Sequence, residues 1–247
     1  MSITLVFAFC GFLAGLLIGA VGIGGVILVP LLVYLANADI HHSIAAALFS
    51  FSISGIVGTI IYTRRGVIDW ALARNLVAGA IPGTLAGTIL LFYVNETMLI
   101  IFIATLAILS ASRELLASSS SRENSSYTLG SSQLIGIGAF AGALSALSGT
   151  GGPMILMPVL VWFSVPVVLA VGLAQVIQLP IAIVATAGNI WNDILDWKLA
   201  LAIASGVALG SLIGGVMAKH IPVAAIRKAV ALSLAASGML MIFSQLN

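Results

Sequence analysis

Charge is what this chain most lacks. Of its 247 residues, only 6% are charged, while 61% are hydrophobic. A water-facing domain carries about 25% charged residues. Too little charge is present to cover a soluble surface, so the expected solvent is lipid. The net charge of +2 builds no field for nucleic acid. The single cysteine, Cys10, excludes an intramolecular disulfide and any multi-cysteine metal site. It lies in an apolar run, where a buried inert thiol is ordinary. No Asp or Glu falls in mid-span, which excludes a buried acidic proton carrier. No basic region precedes the first apolar run and glycines follow it, so that run reads as a structural helix, not a signal peptide. No motif calls for a cofactor or a metal.

What is present is a series of long apolar runs. They are Ile3–Ala20, Val26–Ala36, Ser43–Tyr62, Trp70–Tyr93 and Thr97–Ser112, then Leu134–Leu147, Met154–Phe163, Val167–Gly188, Trp197–Ala218 and Ala224–Phe243. Their composition is that of helical spans, not the alternation of an outer-membrane barrel. The expected fold is an all-α polytopic protein of the cytoplasmic (inner) membrane. One polar, serine-rich stretch, "RELLASSSSRENSSYTLGSS", interrupts the series and reads as an aqueous linker. The organisation is therefore a first transmembrane repeat (1–112), a cytoplasmic linker (113–132) and a second repeat (133–247).

The two parts match. Gly15, Gly22, Gly24 and Gly25 correspond to Gly142, Gly149, Gly151 and Gly152 at one constant offset. The same offset carries Asp69–Trp70 onto Asp196–Trp197, and Gly79, Gly83 and Gly87 onto Gly206, Gly210 and Gly214. Basic residues change places between the halves. Arg64, Arg65 and Arg74 surround the loop after the third segment. The matching loop, "NIWNDILDWK", is mainly acidic, and Lys219, Arg227 and Lys228 follow the next segment instead. Under the positive-inside rule this swap predicts inverted repeats. Inversion needs an odd number of crossings per half, and five fits. Four crossings, with the short segments not spanning, would make the repeats parallel.

The short segments follow glycine breaks, "GIGG" before Val26 and "GTGGP" before Met154. A helix N-terminus there would present unpaired backbone N–H groups and about half a positive charge. Glycine allows close approach of a ligand, and Pro153 suits the first turn. Irregular backbone survives at membrane depth only when buried in protein or lining a wet cavity. Two such ends facing one another would cradle an anion without a cationic side chain. Gly22, Gly24, Gly25, Gly149, Gly151 and Gly152 are the candidate cradle, with the hydroxyls of Ser148 and Thr150 beside it. Gly11, Gly15 and Gly19, and the triplets at 79–87 and 206–214, have the spacing of close helix packing.

The duplicated G-x-G-G run leading through apolar residues to proline resembles the TauE/SafE family of sulfite and organosulfonate exporters. The resemblance spans both halves and the linker. It implies a secondary transporter for a small sulfur-containing or carboxylate anion, working by alternating access. Thiosulfate carriers that depend on cysteine are more distantly similar and need thiols this chain lacks.

Polar side chains inside spans are costly and face the bundle interior. Ser50 in the third segment, and Gln175 and Gln178 in its counterpart, complete the substrate-binding candidates. The two glutamines are three apart and share a helix face. A coupling proton would have to use histidine: Asp39, His41 and His42 lie at a membrane edge, where a solvated loop is the plainer reading. Asp69 and Asp196 read as helix N-caps with tryptophan anchors. Two rival functions stand beside transport. One is a passive channel built on the paired half-helices. The other is an intramembrane serine hydrolase at Ser148, which would need a base within reach; the only histidines, His41, His42 and His220, lie near loop edges. The chain is expected not to be an enzyme. The partners expected are a small anion and the bilayer, with no nucleic acid; the number of copies is not fixed by sequence.

Overall fold

The computed structural model describes residues 3–21, 25–116 and 129–217, with Leu232, Ala235, Met239 and Phe243 beyond them. The described residues form helices and no strand. In order they are α1 (Ile3–Val21), α2 (Gly25–Pro30), α3 (Ile40–Arg64), α4 (Trp70–Leu91), α5 (Glu96–Leu116), α6 (Ser131–Ser148), α7 (Pro153–Trp162), α8 (Val167–Trp191) and α9 (Trp197–Met217). The tenth apolar run, Ala224–Phe243, falls almost wholly outside the described residues. Five helices, α3, α4, α6, α8 and α9, are long and apolar enough to cross a membrane. Helix α5 runs on to Leu116 and α6 begins at Ser131, so helix takes both edges of the polar stretch.

Local chemistry sets the helix starts. Asp39, Asp69 and Asp196 each accept hydrogen bonds from the two backbone N–H groups that open α3, α4 and α9, satisfying donors a helix start leaves free. Pro153 takes the first position of α7, where a missing N–H costs nothing. Pro30 closes α2, and the chain continues as a π-helical turn over Leu31–Leu35. Proline's absent N–H and bulky ring disturb the regular ladder.

Polarity is arranged for lipid. The outward residues of the long helices include Ile56, Ile60, Leu85, Ile89, Leu201 and Leu209, all exposed. Ser54, Thr84, Gln175, Gln178 and Asn189 are buried. Trp162, Trp191 and Tyr93 are more than 80% exposed at the ends of α7, α8 and α4, as membrane-interface anchors are.

Two glycine seams hold the bundle. A Cβ at Gly15 would lie 2.5 Å from the Val207 carbonyl oxygen, and one at Gly142 would lie 2.5 Å from that of Ala80. Gly83 and Gly210 press in the same way on the carbonyls of Ala139 and Phe12. Helix α1 thus runs parallel to α9, and α4 parallel to α6, with backbones in contact. Each contact in one seam has its counterpart in the other at the sequence offset that joins Gly15 to Gly142. Between the seams α3 and α8 pack antiparallel: Gly58 meets Gln175, Gly55 meets Leu179, and His42 reaches Ile194.

Candidate functional site

Helix α3 builds one wall of the site. Phe51, Ser54, Gly58, Tyr62 and Arg65 recur at intervals of three or four and so share a face. That face borders a cleft of about 470 Å³ including its open mouth, closed in also by Ile18 and Gly19 of α1, Gln175 of α8 and Ser211 of α9. Arg65 stands at the mouth, its guanidinium carbon 5.4 Å from the centre of the Tyr62 ring, a cation–π distance. The cleft therefore begins at a positive charge and narrows into neutral polar groups.

Gln175 lies at the cleft wall, 2% exposed. Its Oε1 is buried with no hydrogen-bond partner among the described residues, and its Nε2 donates to none of them. A Cβ on Gly58 would fall onto Oε1, so the amide occupies space that only glycine leaves. An unpaired buried polar group costs about 1–3 kcal/mol; Oε1 is an acceptor and needs a donor such as water, whereas an anion would pair with the Nε2 N–H. Gln178, one turn on, also has a buried Oε1 without a partner among the described residues, but its Nε2 is used. Its Nε2 donates to Ser54 Oγ at 2.7 Å and lies 3.4 Å from the Phe51 carbonyl oxygen. The shared face holds, but only Gln175 opens to the cleft.

Beyond Ser54 lies the turn between α6 and α7. Gly149 caps α6 at φ +67°, and Gly151 and Gly152 have φ of +75° and +110°. Glycine adopts these values without the steric cost other residues meet. Thr150 stands between them, buried, with Oγ1 2.9 Å from Ser148 Oγ. Ser148 Oγ donates to the Leu144 carbonyl at 2.7 Å. The backbone N–H groups of Gly151, Gly152 and Met154 make no hydrogen bond among the described residues. Gly25, opening α2, packs on this turn: its Cβ would meet the Thr150 carbonyl oxygen at 2.5 Å and the Phe51 ring at 3.1 Å. A Cβ on Gly151 would meet the same ring at 2.6 Å. Gly25 and Gly151 thus meet on the same Phe51 ring, one turn of α3 before the cleft-lining Ser54.

The remaining candidates divide plainly. Gly22 and Gly24 lie outside the described residues. Ser50 is buried and donates to the Ala47 carbonyl of its own helix at 2.7 Å, and it does not line the cleft. Of the basic residues around the loop after the third segment, Arg74 does not line it either; Arg65 does. His41 and His42 are not free in a solvated loop, since their ring nitrogens lie 3.4 Å and 2.6 Å from the carbonyls of Val94 and Ile194. Ser148 bonds no histidine among the described residues, and His220 lies outside them. No group of three or more His, Cys, Asp or Glu gathers among the described residues. Gly58, Tyr62 and Arg65 escaped the sequence reading. Their signal was the spacing along α3, which becomes informative only once α8 is known to face it.

Comparison with known proteins adds to this geometry. A family model described as "Sulfite exporter TauE/SafE" matches residues 7–244. A "Probable membrane transporter protein YdhB" of Bacillus subtilis is 24% identical over 238 residues, covering 94% of this chain and 97% of the relative. A "Probable membrane transporter protein" of Xylella fastidiosa is 32% identical over 79 residues, 32% of this chain and 30% of that one. No solved structure matches.

Proposed function

This chain belongs to the TauE/SafE sulfite exporter family, and from that membership we propose that it is a secondary transporter moving a small oxyanion by alternating access. The substrate class is sulfite, an organosulfonate or a related carboxylate. The observation that carries the reading is the Gln175 amide, whose Nε2 makes no hydrogen bond among the described residues, in a cleft entered past Arg65. An anion drawn to the mouth by the guanidinium meets the amide N–H of Gln175, a neutral donor that holds an oxyanion without trapping it in an ion pair; the Ser54 hydroxyl already donates to the Phe51 carbonyl. Phe51 is the barrier at the inner end of the cleft. Once its ring swings aside, the anion reaches the free N–H groups of Gly151, Gly152 and Met154, at the positive end of the α7 dipole.

The halves are inverted repeats in this reading, a frequent transporter plan. Three observations support it. The seam contacts of α1 on α9 recur as those of α6 on α4 at the sequence offset. Equivalent helices α3 and α8 run antiparallel. Basic residues swap between equivalent loops. The Arg64–Arg65 end is then the cytoplasmic one.

Flux of labelled sulfite and of a small sulfonate into proteoliposomes, with and without an imposed pH gradient, tests the function. The expected result is saturable uptake of at least one anion, reduced about tenfold or more in Gln175→Leu. Flux that never saturates and ignores the gradient would make the protein a channel. Absence of flux for every anion class would remove anion transport.

A further inference from the structure

Besides Gln175 and Gln178, six side chains carry buried polar atoms without partners among the described residues: Ser43 near the start of α3, and a set of five, Thr84 and Thr88 of α4, Ser145 of α6, and Thr186 and Asn189 of α8. All are at least nine-tenths buried, and Asn189 has neither amide atom paired. Native interiors leave few such groups, and each calls for an explanation. The five are not scattered. The Thr84 hydroxyl faces Gly142, where a Cβ would stand 2.8 Å away, and Ser145 is one turn further along the same face of α6. The Thr88 methyl faces Gly188, where a Cβ would stand 2.5 Å away, and Thr186 and Asn189 flank that glycine on α8. The five therefore converge on the junction of α4, α6 and α8.

Their positions have a second meaning. The offset that joins Gly15 to Gly142 takes Ile18, Tyr62 and Ser211, all cleft-lining, to Ser145, Asn189 and Thr84. Tyr62 is near the C-terminal end of α3, and Asn189 near that of α8. Because α3 and α8 are antiparallel, the two sets lie toward opposite ends of the bundle. One is an open cleft; the other is packed shut around hydroxyls and an amide that have no partner among the described residues.

We propose that Thr84, Thr88, Ser145, Thr186 and Asn189 line a second, closed vestibule, which opens to the side opposite Arg65 and passes the same anion in the other half of the cycle. This rests on the transporter reading and on the inverted repeat. Water or anion oxygens satisfy these groups when the vestibule opens, which is why they stay polar despite their isolation here.

Cysteine labelling tests it in a Cys10→Ala background, using right-side-out and inside-out vesicles and a charged, membrane-impermeant methanethiosulfonate. Tyr62→Cys is expected to react only from the Arg65 face. Ser145→Cys and Asn189→Cys are expected to react only from the opposite face, faster or slower when sulfite is added. Reaction of the latter two from the Arg65 face, or from neither face with and without sulfite, overturns the second vestibule. Failure of Tyr62→Cys to react from its own face overturns the cleft instead, so the two ideas fail separately. Thr84→Val and Asn189→Leu provide the second measurement. Removing unpartnered polar atoms should leave the melting temperature unchanged or raised while anion flux falls tenfold or more. Unchanged flux in both variants also overturns the proposal.

Discussion

At the scale of single residues, the interplay of Gly58 and Gln175 separates function from stability. Glycine inside a helix is less favourable than alanine by about 0.8–1 kcal/mol, so Gly58→Ala should by itself strengthen α3. The added methyl, however, falls on the Gln175 amide oxygen, the flexible end of a side chain that can be pushed aside. The expected outcome is an unchanged or higher melting temperature with at least a threefold weaker apparent affinity for the transported anion. Thermal denaturation and concentration-dependent flux on the same preparation check it; unchanged affinity would take Gln175 out of the binding path. Ser50 shows the converse. Its polarity stood out in the sequence, yet its hydroxyl is consumed by the carbonyl of Ala47. A serine in an apolar run announces only that its hydrogen bond must go somewhere, and its own helix is the nearest acceptor.

At the scale of helices, the seams decide whether the two halves hold together. Both cross between halves, α1 on α9 and α4 on α6. Gly83→Leu and Gly210→Leu place a side chain against a backbone carbonyl that cannot retreat, that of Ala139 or Phe12. Each should destroy packing, read as loss of a monodisperse peak in detergent chromatography, with loss of flux following from loss of fold. A monodisperse variant with native flux would show that the seam tolerates separation. Much of this level was legible. The starts of α4 and α9 followed from Asp69 and Asp196, because capping is local chemistry; Asp39, read as part of a solvated loop, caps α3 instead. The packing role of the regularly spaced glycines was readable too, though the partner of each seam was not: spacing specifies a flat helix face and says nothing of which helix covers it. The same limit hid the cleft. Arg65 and Arg74 look equivalent in a list of charges; only the approach of α3 to α8 places one at the mouth. Gly25 differs from its expected setting as well, since the sequence suggests room for a ligand where the Thr150 carbonyl and Phe51 ring already press.

At the scale of the whole molecule, the inverted-repeat reading makes a demand that no single helix makes. If α3 and α8 are equivalents related by a twofold axis in the membrane plane, the loops that follow them must face opposite compartments. If the halves are parallel repeats, both loops face the same one. Gly66, after α3, and Asp193, after α8, are exposed and suit this test; a Cβ at Gly66 meets nothing within 4 Å. Both positions have positive φ, +66° and +56°, and both lie outside the helices, so a cysteine there costs about 1–2 kcal/mol of local strain and leaves the spans intact. In the Cys10→Ala background, Gly66→Cys should react with an impermeant maleimide only in inside-out vesicles, and Asp193→Cys only in right-side-out ones. The first assignment follows from Arg64 and Arg65 beside Gly66, the second from the acidic loop that holds Asp193. Labelling of both from one side would contradict the antiparallel packing of α3 and α8 and remove the inverted repeat with it. The offset between the Arg65 cleft and the closed polar junction would then be a coincidence of sequence, and alternation between two equivalent vestibules would lose its structural basis.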